Sequence, residues 1–394
     1  MELGIERLAA NPQWSQSWGR CALVCNQASL NHDFYPSWQL CRDILGERLL
    51  AFFGPQHGFH ATLQDNMIES EHAKGPFNLP VYSLYSETRE PTEEMMSGID
   101  TILVDLQIVG CRVYTFKYTV AACLRAAKKF GKKLVVLDRP NPLGGQVAEG
   151  RVLDLEVRSF VGEFSIPLRH GLTIGEAAQL FNKNIGAELE VIPMKDWSAD
   201  MYWPDTGLPW TLTSPNLPTF DSVAIYPATV LFEGMNASEG RGTTLPFQFI
   251  GAPYLGDGEK FVKRVREIFD PKGVYLRPAA FQPTSGKWAG VTCAGLQIHI
   301  TDASAIETFK LGLALARATI DLGADHFQWK QPPYEYEFHK LPINLILGMP
   351  DADQLLLADQ FSVNDSYWYQ GLDGYCERVR EFLIYKRDLK PLGI

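Results

Sequence analysis

Six residues, GPQHGF (54–59), follow directly on the apolar run LLAFF (49–53). An amide, an imidazole and two glycines at the end of a buried strand stand where open α/β sheets present their chemistry, outside the carboxyl ends of the strands. DLQIVGCRVYTF (105–116) and DRPNPLGG (138–145) also begin at the ends of apolar runs, while IPLRHG (166–171) and SEGRGTT (238–244) place basic residues in loops. Carboxylates here could transfer protons, arginines could clamp an anion, and flat aromatics could cover the apolar face of a sugar ring. That set fits glycoside hydrolysis. Each cluster also has a plainer reading. DRPNP reads equally as an Asp-capped turn fixed by two prolines, and His57 alone as an ordinary loop histidine. Five clusters on one rim are harder to set aside.

Other mechanisms lack their signatures. CNQASLN (25–31) stands where a dinucleotide-binding GxGxxG would follow the first strand, and neither a P-loop nor a G-x-S-x-G elbow occurs. His57, His60, His72, His170 and His299 show neither H-x-x-x-H nor H-E-x-x-H spacing, which leaves a metal site possible but unsupported.

The clusters need a scaffold that brings them together. Strands are expected at 21–26, 49–53, 81–85, 101–106, 133–138 and 188–194, with helices at 35–45, 92–97, 120–130 and 174–184 between them. Near-continuous apolar strands separated by helices predict a mostly parallel sheet covered on both faces, a Rossmann-like arrangement. Thr173-x-x-Glu176 is a capping box that starts the helix at 174. After Met194 the chain turns to loops rich in Trp, Pro and Asn. It then resumes with a helix at 257–269, strands at 274–276 and 296–300, and helices at 305–322 and 367–383. This predicts a smaller α/β domain at 229–394 after a first domain at 1–228.

Composition narrows the function. The 394 residues are enough for two domains. A net charge of −10 argues against general nucleic-acid binding, which needs a surplus of Lys and Arg. No apolar stretch is long enough to span a membrane, and the start MELGIERLAANPQW lacks the order of a signal peptide. Seven cysteines without a CxxC pair fit reduced thiols in a cytoplasmic protein.

The ordered motifs GPQHGF, QDNMIE, PVYSLYSETREPT, DLQIVGCRVYTF, VVLDRPNPLGG, FVGEFSIPLRHGLTIGE, SPNLPT and YPATVLFEGMNASEGRGTTLPFQFIGAP resemble the exo-β-N-acetylmuramidases of the NamZ type. The resemblance runs from about residue 20 to 255 and again at PPYEYE (332–337). It implies a Rossmann-like domain, a smaller α/β domain, and an active-site cleft between them. It also implies removal of N-acetylmuramic acid from the non-reducing ends of peptidoglycan fragments, with no cofactor. Two positions depart from the family pattern. Gln56 stands where many members have the glutamate of GPEHG, and 107–110 reads QIVG where many have QDVG. An amide cannot act as a carboxylic acid, so the acid is sought nearby, among Asp65, Glu69 and Glu71.

Glu69 is the expected replacement, with Glu239 competing and His57 and Asp105 completing the catalytic set. Gln56, Gln107, Arg112, Tyr114, Arg139, Asn141, Arg169, His170 and Arg241 are expected to bind substrate. Arg169 or Arg241, with His170, is expected to clamp the lactyl carboxylate of N-acetylmuramic acid. At least one of the arginines is expected to bridge the two domains instead. Gln56 keeps two alternatives open: a glycosidase of the same fold acting on another acidic glycan, and a sugar-binding protein without turnover.

Overall fold

The computed structural model describes residues 1–64 and 67–393. Eight strands come first: β1 (Cys21–Val24), β2 (Leu49–Gly54), β3 (Ala73–Lys74), β4 (Pro80–Ser83), β5 (Thr101–Val104), β6 (Lys133–Leu137), β7 (Val147–Glu149) and β8 (Glu188–Ile192). All but β7 form one sheet in the order β3-β4-β2-β1-β5-β6-β8, parallel except for β3. Without the edge strand β3, this is the doubly wound order that starts in the middle and grows first to one side, then to the other.

Alternation along the strands explains why both faces are covered. Ala22, Val24, Phe53, Ile102, Val104 and Val136 point into one apolar core, while Cys21, Leu23, Phe52, Leu103 and Val135 point into a second. Helices α1 (Gly4–Ala10) and α2 (Ser37–Leu45) supply Ile5, Leu8, Cys41 and Leu45 to the second core. Helices α3 (Phe116–Phe130) and α4 (Ile174–Ile185) cover the other face. The capping box of α4 forms as expected: Thr173 Oγ1 accepts from the Glu176 amide at 3.2 Å, and Glu176 Oε2 from the Thr173 amide at 3.0 Å.

Helix α5 (Phe220–Thr229) leads into the second half, which contains β9 (Phe249–Ala252), α6 (Gly258–Ile268), β10 (Val274–Phe281), β11 (Cys293–Ile300) and α7 (Thr308–Gly323). Its three strands form an antiparallel sheet in the order β10-β11-β9. The last strand, β12 (Lys390–Leu392), returns to the first half and pairs in parallel with β7. Among the described residues, no helix is long and apolar enough to cross a membrane.

Two expected helices are corrected. Residues 92–97 form turns, because a segment confined between Pro91 and Gly98, whose φ is +75°, is too short to repay helix nucleation. Residues 367–383 break into short pieces around Gly371, which adopts φ +82° against Val152.

Candidate active site

The crevice between the carboxyl ends of β1 and β5, where sheets of this order bind dinucleotides, is filled by protein. Asp105, directly after β5, is fully buried and receives Arg139 in a bidentate pair at 2.5 and 2.7 Å. Ser37 Oγ donates to the same carboxylate, and Arg139 also caps the Leu30 carbonyl at 2.8 Å. The expected catalytic Asp105 and substrate-binding Arg139 are thus committed to each other beneath the rim.

The open space lies further out, between the rim loops and the second half of the chain. A half-open cavity of about 400 Å³, its mouth included, is lined by Gln56, His57, Val113, Tyr114, Thr115, Val161, Ser214 and Leu217 on one side and Tyr226, Glu233, Arg241, Phe247, Tyr334 and Glu335 on the other. GPQHGF reaches it through a tight turn. Gly58 donates to the Pro55 carbonyl at 2.9 Å, and His57 and Gly58 both take positive φ, +70° and +81°. His57 Nδ1 donates to the Leu63 carbonyl at 2.6 Å, and its Nε2 meets Ser214 Oγ at 3.3 Å. Gln56 accepts from Thr115 Oγ1 at its Oε1, which leaves its Nε2 to donate to Glu335 Oε1 at 2.9 Å and to Tyr85 Oη at 3.2 Å.

Glu335 is the carboxyl that sequence reasoning missed. Tyr334 and Glu337 exchange backbone hydrogen bonds at 2.9 and 3.0 Å, and the two residues between them, Glu335 and Tyr336, have φ of +45° and +65°. Left-handed non-glycine residues cost of order 1–3 kcal/mol each and collect at functional sites. This turn directs Glu335 into the cavity, where it is 3% exposed. Tyr85 Oη donates to its Oε2 at 2.7 Å. Burial pushes the Glu335 carboxyl above the usual range, and neighbouring Glu233 adds to that, outweighing the bonds from Tyr85 and Gln56. PPYEYE was visible as a motif, but nothing in its residue types distinguished Glu335 from Glu337.

A row of alternating charge borders the cavity. Tyr334 Oη and Arg241 Nη2 both bind Glu233 at 2.5 Å, Arg241 Nε faces Glu239 at 3.2 Å, and Glu239 in turn pairs with Lys287 at 2.7 Å. Burial alone would raise the Glu239 pKa, but Lys287 and Arg241 outweigh it and hold the carboxyl below its usual range. Glu239 therefore stands ionised behind Arg241 and does not line the cavity.

The structure does not bring the other expected residues to this space. Glu69 was expected in one pocket with His57, Asp105 and Glu239. It is instead half-exposed, 3.9 Å from Arg89, in an outer groove that it shares with His57, His60 and Glu71. Asp65 lies outside the described residues. Arg169 is buried against Glu149 and bonds the Leu143 carbonyl and Tyr202 Oη. His170 is buried, and its pKa is driven well down by that burial and by Lys117, Arg112 and Arg169 nearby, so the ring is neutral. Gln107 bonds the carbonyls of Ile108 and Pro140, and Asn141 that of Leu172. Arg112 donates to the carbonyls of Ile166 and Ile346, so it is an arginine that ties the two halves together. Among the described residues, no group of three His, Cys, Asp or Glu side chains is arranged to hold a metal ion.

The fold and cavity define a two-part α/β protein of Rossmann strand order, with a carboxylate-, arginine- and tyrosine-lined pocket between its parts. Family models described as "Exo-beta-N-acetylmuramidase NamZ, N-terminal" and "C-terminal" match residues 21–221 and 224–385. The chain belongs to the NamZ exo-β-N-acetylmuramidase family, as the ordered motifs implied. It is 41% identical over 331 residues to the peptidoglycan β-N-acetylmuramidase NamZ of Bacillus subtilis (strain 168), covering 84% of this chain and 80% of that protein. Two DUF1343 family proteins from Bacteroides fragilis NCTC 9343 share the fold. Their crystal structures match with TM-scores of 0.87 and 0.74 at 28% and 25% identity, each over 98% of this chain and 99% of the other.

Proposed function

We propose that this protein is an exo-acting glycoside hydrolase that releases N-acetylmuramic acid from the non-reducing ends of peptidoglycan fragments, with Glu335 as its acid. The observation that carries the reading is the buried Gln56–Glu335 pair lining the cavity between the two halves. Cleavage of a poor leaving group needs a carboxylic acid that holds its proton near neutral pH. Burial and Glu233 favour that form in Glu335, and Gln56 and Tyr85 are placed to stabilise the carboxylate left behind. As the C1–O bond breaks, the glycosidic oxygen takes the Glu335 proton. Water then supplies hydroxide to C1 and returns a proton to Glu335. No cofactor takes part in these steps.

Arg241 faces the cavity and is our choice for the clamp on the lactyl carboxylate; its Nη1 makes a long 3.3 Å contact to the Gln64 carbonyl. His57, Gln56 and Tyr114 line the same space and would hold the sugar's polar groups. We place the boundary between the halves near residue 228. Seven free, buried cysteines support a reducing, cytoplasmic setting, and the proposed substrate supports a role in cell-wall turnover.

Gln56 favours a second reading, in which the cavity binds an acidic sugar without turnover. Assay of a chromogenic N-acetylmuraminide beside the matching N-acetylglucosaminide separates the two. Release from the muraminide with little from the glucosaminide supports the hydrolase; binding of the muraminide without release supports the second reading.

A further inference from the structure

Two grooves flank the cavity, and their linings differ in charge. One lies beyond His57 and contains Glu69 and Glu71. The other lies beyond Arg241, and every residue that lines it is uncharged, in a chain of net charge −10. We propose that this uncharged groove receives the leaving group, the neutral N-acetylglucosamine unit on the reducing-end side of the cleaved bond. The proposal rests on the hydrolase reading above and adds a site to it.

Continuity is the first support. The Gln64 carbonyl accepts from Arg241 Nη1 at 3.3 Å, on the cavity side, and from Asn216 Nδ2 at 2.8 Å, on the groove side. Gln64 therefore contacts the lining of both. Gly242 and Pro246 border the groove directly beside Arg241 and Phe247 of the cavity. The cavity and the groove therefore adjoin along Gln64, Arg241 and Gly242.

The lining chemistry is the second support. Phe249 and Phe281 stack with ring centres 5.1 Å apart and planes 24° from parallel, beside the rings of Pro215, Pro218 and Pro246. Phe281 and Pro246 are buried, and the partly exposed faces of Phe249, Pro215 and Pro218 suit the C–H faces of pyranose rings. Thr244 and Ser285 present exposed hydroxyls, and Gln282, whose Nε2 is bound to the Gly290 carbonyl, keeps its Oε1 for an acetamido N–H. The opposite groove would press the carboxylates of acidic stem peptides against Glu69 and Glu71, which like-charge repulsion disfavours.

The test uses a bulky plug at an exposed position, Thr244→Trp, and a milder change, Gln282→Ala. Each is assayed on an aryl N-acetylmuraminide, which carries one sugar, and on N-acetylmuramyl-N-acetylglucosamine and longer glycans. Thr244→Trp should raise KM on the glycans about tenfold or more while kcat/KM on the aryl substrate stays within about twofold, and Gln282→Ala should move KM in the same direction by less. Wild-type behaviour of both variants on the glycans, or an equal loss on both substrate types, overturns the groove. If the wild type cleaves neither substrate, the hydrolase reading falls, and titration with N,N′-diacetylchitobiose decides the groove separately. Binding abolished by Thr244→Trp supports it, and no binding at millimolar ligand overturns it.

Discussion

Gln56 Nε2 donates to Glu335 Oε1 across 2.9 Å, joining loops that lie 279 residues apart in the chain. Their orientation is fixed from both sides. Thr115 donates to the amide oxygen of Gln56, and the amide nitrogen faces the acceptor oxygen of Glu335. Tyr85 Oη accepts from the Met67 amide at 3.1 Å and from Gln56, so its own proton points to the second oxygen of Glu335. A carboxyl held this way has few rotamers open to it, which is what a proton donor with fixed aim requires.

The first prediction concerns that donor. Glu335→Gln keeps the shape of the side chain and removes its proton. Turnover of N-acetylmuramyl-N-acetylglucosamine should fall by about 10²–10⁴, the range for general acid–base catalysis. An aryl muraminide with an activated leaving group departs without protonation and should recover much of the loss. Glu69→Gln, on the outer groove, should leave both rates close to wild type. Steady-state kinetics on the two substrates decide it, and the reverse pattern would return the role to Glu69.

Gln56→Glu supplies a second prediction, with a definite sign. Two carboxyl groups at hydrogen-bond distance share a proton, and the pair gives up its last proton at a higher pH than either carboxyl alone. Activity that needs the protonated acid is present below the folded-state pKa and lost as pH rises through it. The alkaline limb of kcat/KM should therefore move upward in Gln56→Glu. A limb that stays in place would show that Glu335 is not the group being titrated. Activity that appears only in the variant would mark the natural chain as a lapsed enzyme.

The limits of the sequence reading follow from geometry. The doubly wound sheet was legible because β1, β5 and β6 are apolar on both faces and their runs end at polar clusters. Helix α5 escaped notice because residues 222–229 are all buried, so no amphipathic period marks it, and Pro227 lies inside. At the site, residue types identified GPQHGF and SEGRGTT, and Gln56, His57, Tyr114 and Arg241 do line one cavity. Residue types could not show that Arg169 and Arg139 spend their guanidinium groups on Glu149 and Asp105, since an arginine reads the same whether it faces a substrate or a buried carboxylate. Glu335 was hidden for the opposite reason: its role depends on a left-handed turn and on a partner far away in the chain.

The two arginines first considered for the clamp should now behave differently. Arg241→Ala should reduce the preference for muraminide over glucosaminide by tenfold or more, since a hydrogen bond to a charged group contributes about 1.5–3 kcal/mol. Arg169→Ala breaks a pair that is almost fully buried and leaves Glu149 charged among Thr308 Oγ1 and the Phe309 amide. It should cost about 3–5 kcal/mol of stability, read as a lower thermal midpoint, with the sugar preference unchanged. Preference lost in Arg169→Ala and kept in Arg241→Ala would reverse the assignment.

Lys117 connects the rim loop to the pH dependence of the fold. It is fully buried at the start of α3, and its ammonium donates to the carbonyls of Cys111 at 2.8 Å, Arg112 at 2.9 Å and Tyr114. These three carbonyls shape the loop that carries Val113, Tyr114 and Thr115 into the cavity. Burial, reinforced by the charge of Arg112, pushes the Lys117 pKa down to about 7. In the unfolded chain the same group titrates near ~10.4. Between those two values the unfolded state binds more protons than the folded one, so the contribution of Lys117 to stability rises with pH across the window. Below it, both states carry the charge and the cost of burying it is constant. Lys117→Met removes the titration altogether. Thermal midpoints of the wild type and the variant, measured from about pH 7 to about pH 10, should thus shift relative to each other in favour of the wild type as pH increases. A constant difference would mean that the three carbonyls keep the ammonium protonated throughout, and that the loop is held by a charge rather than by a neutral amine.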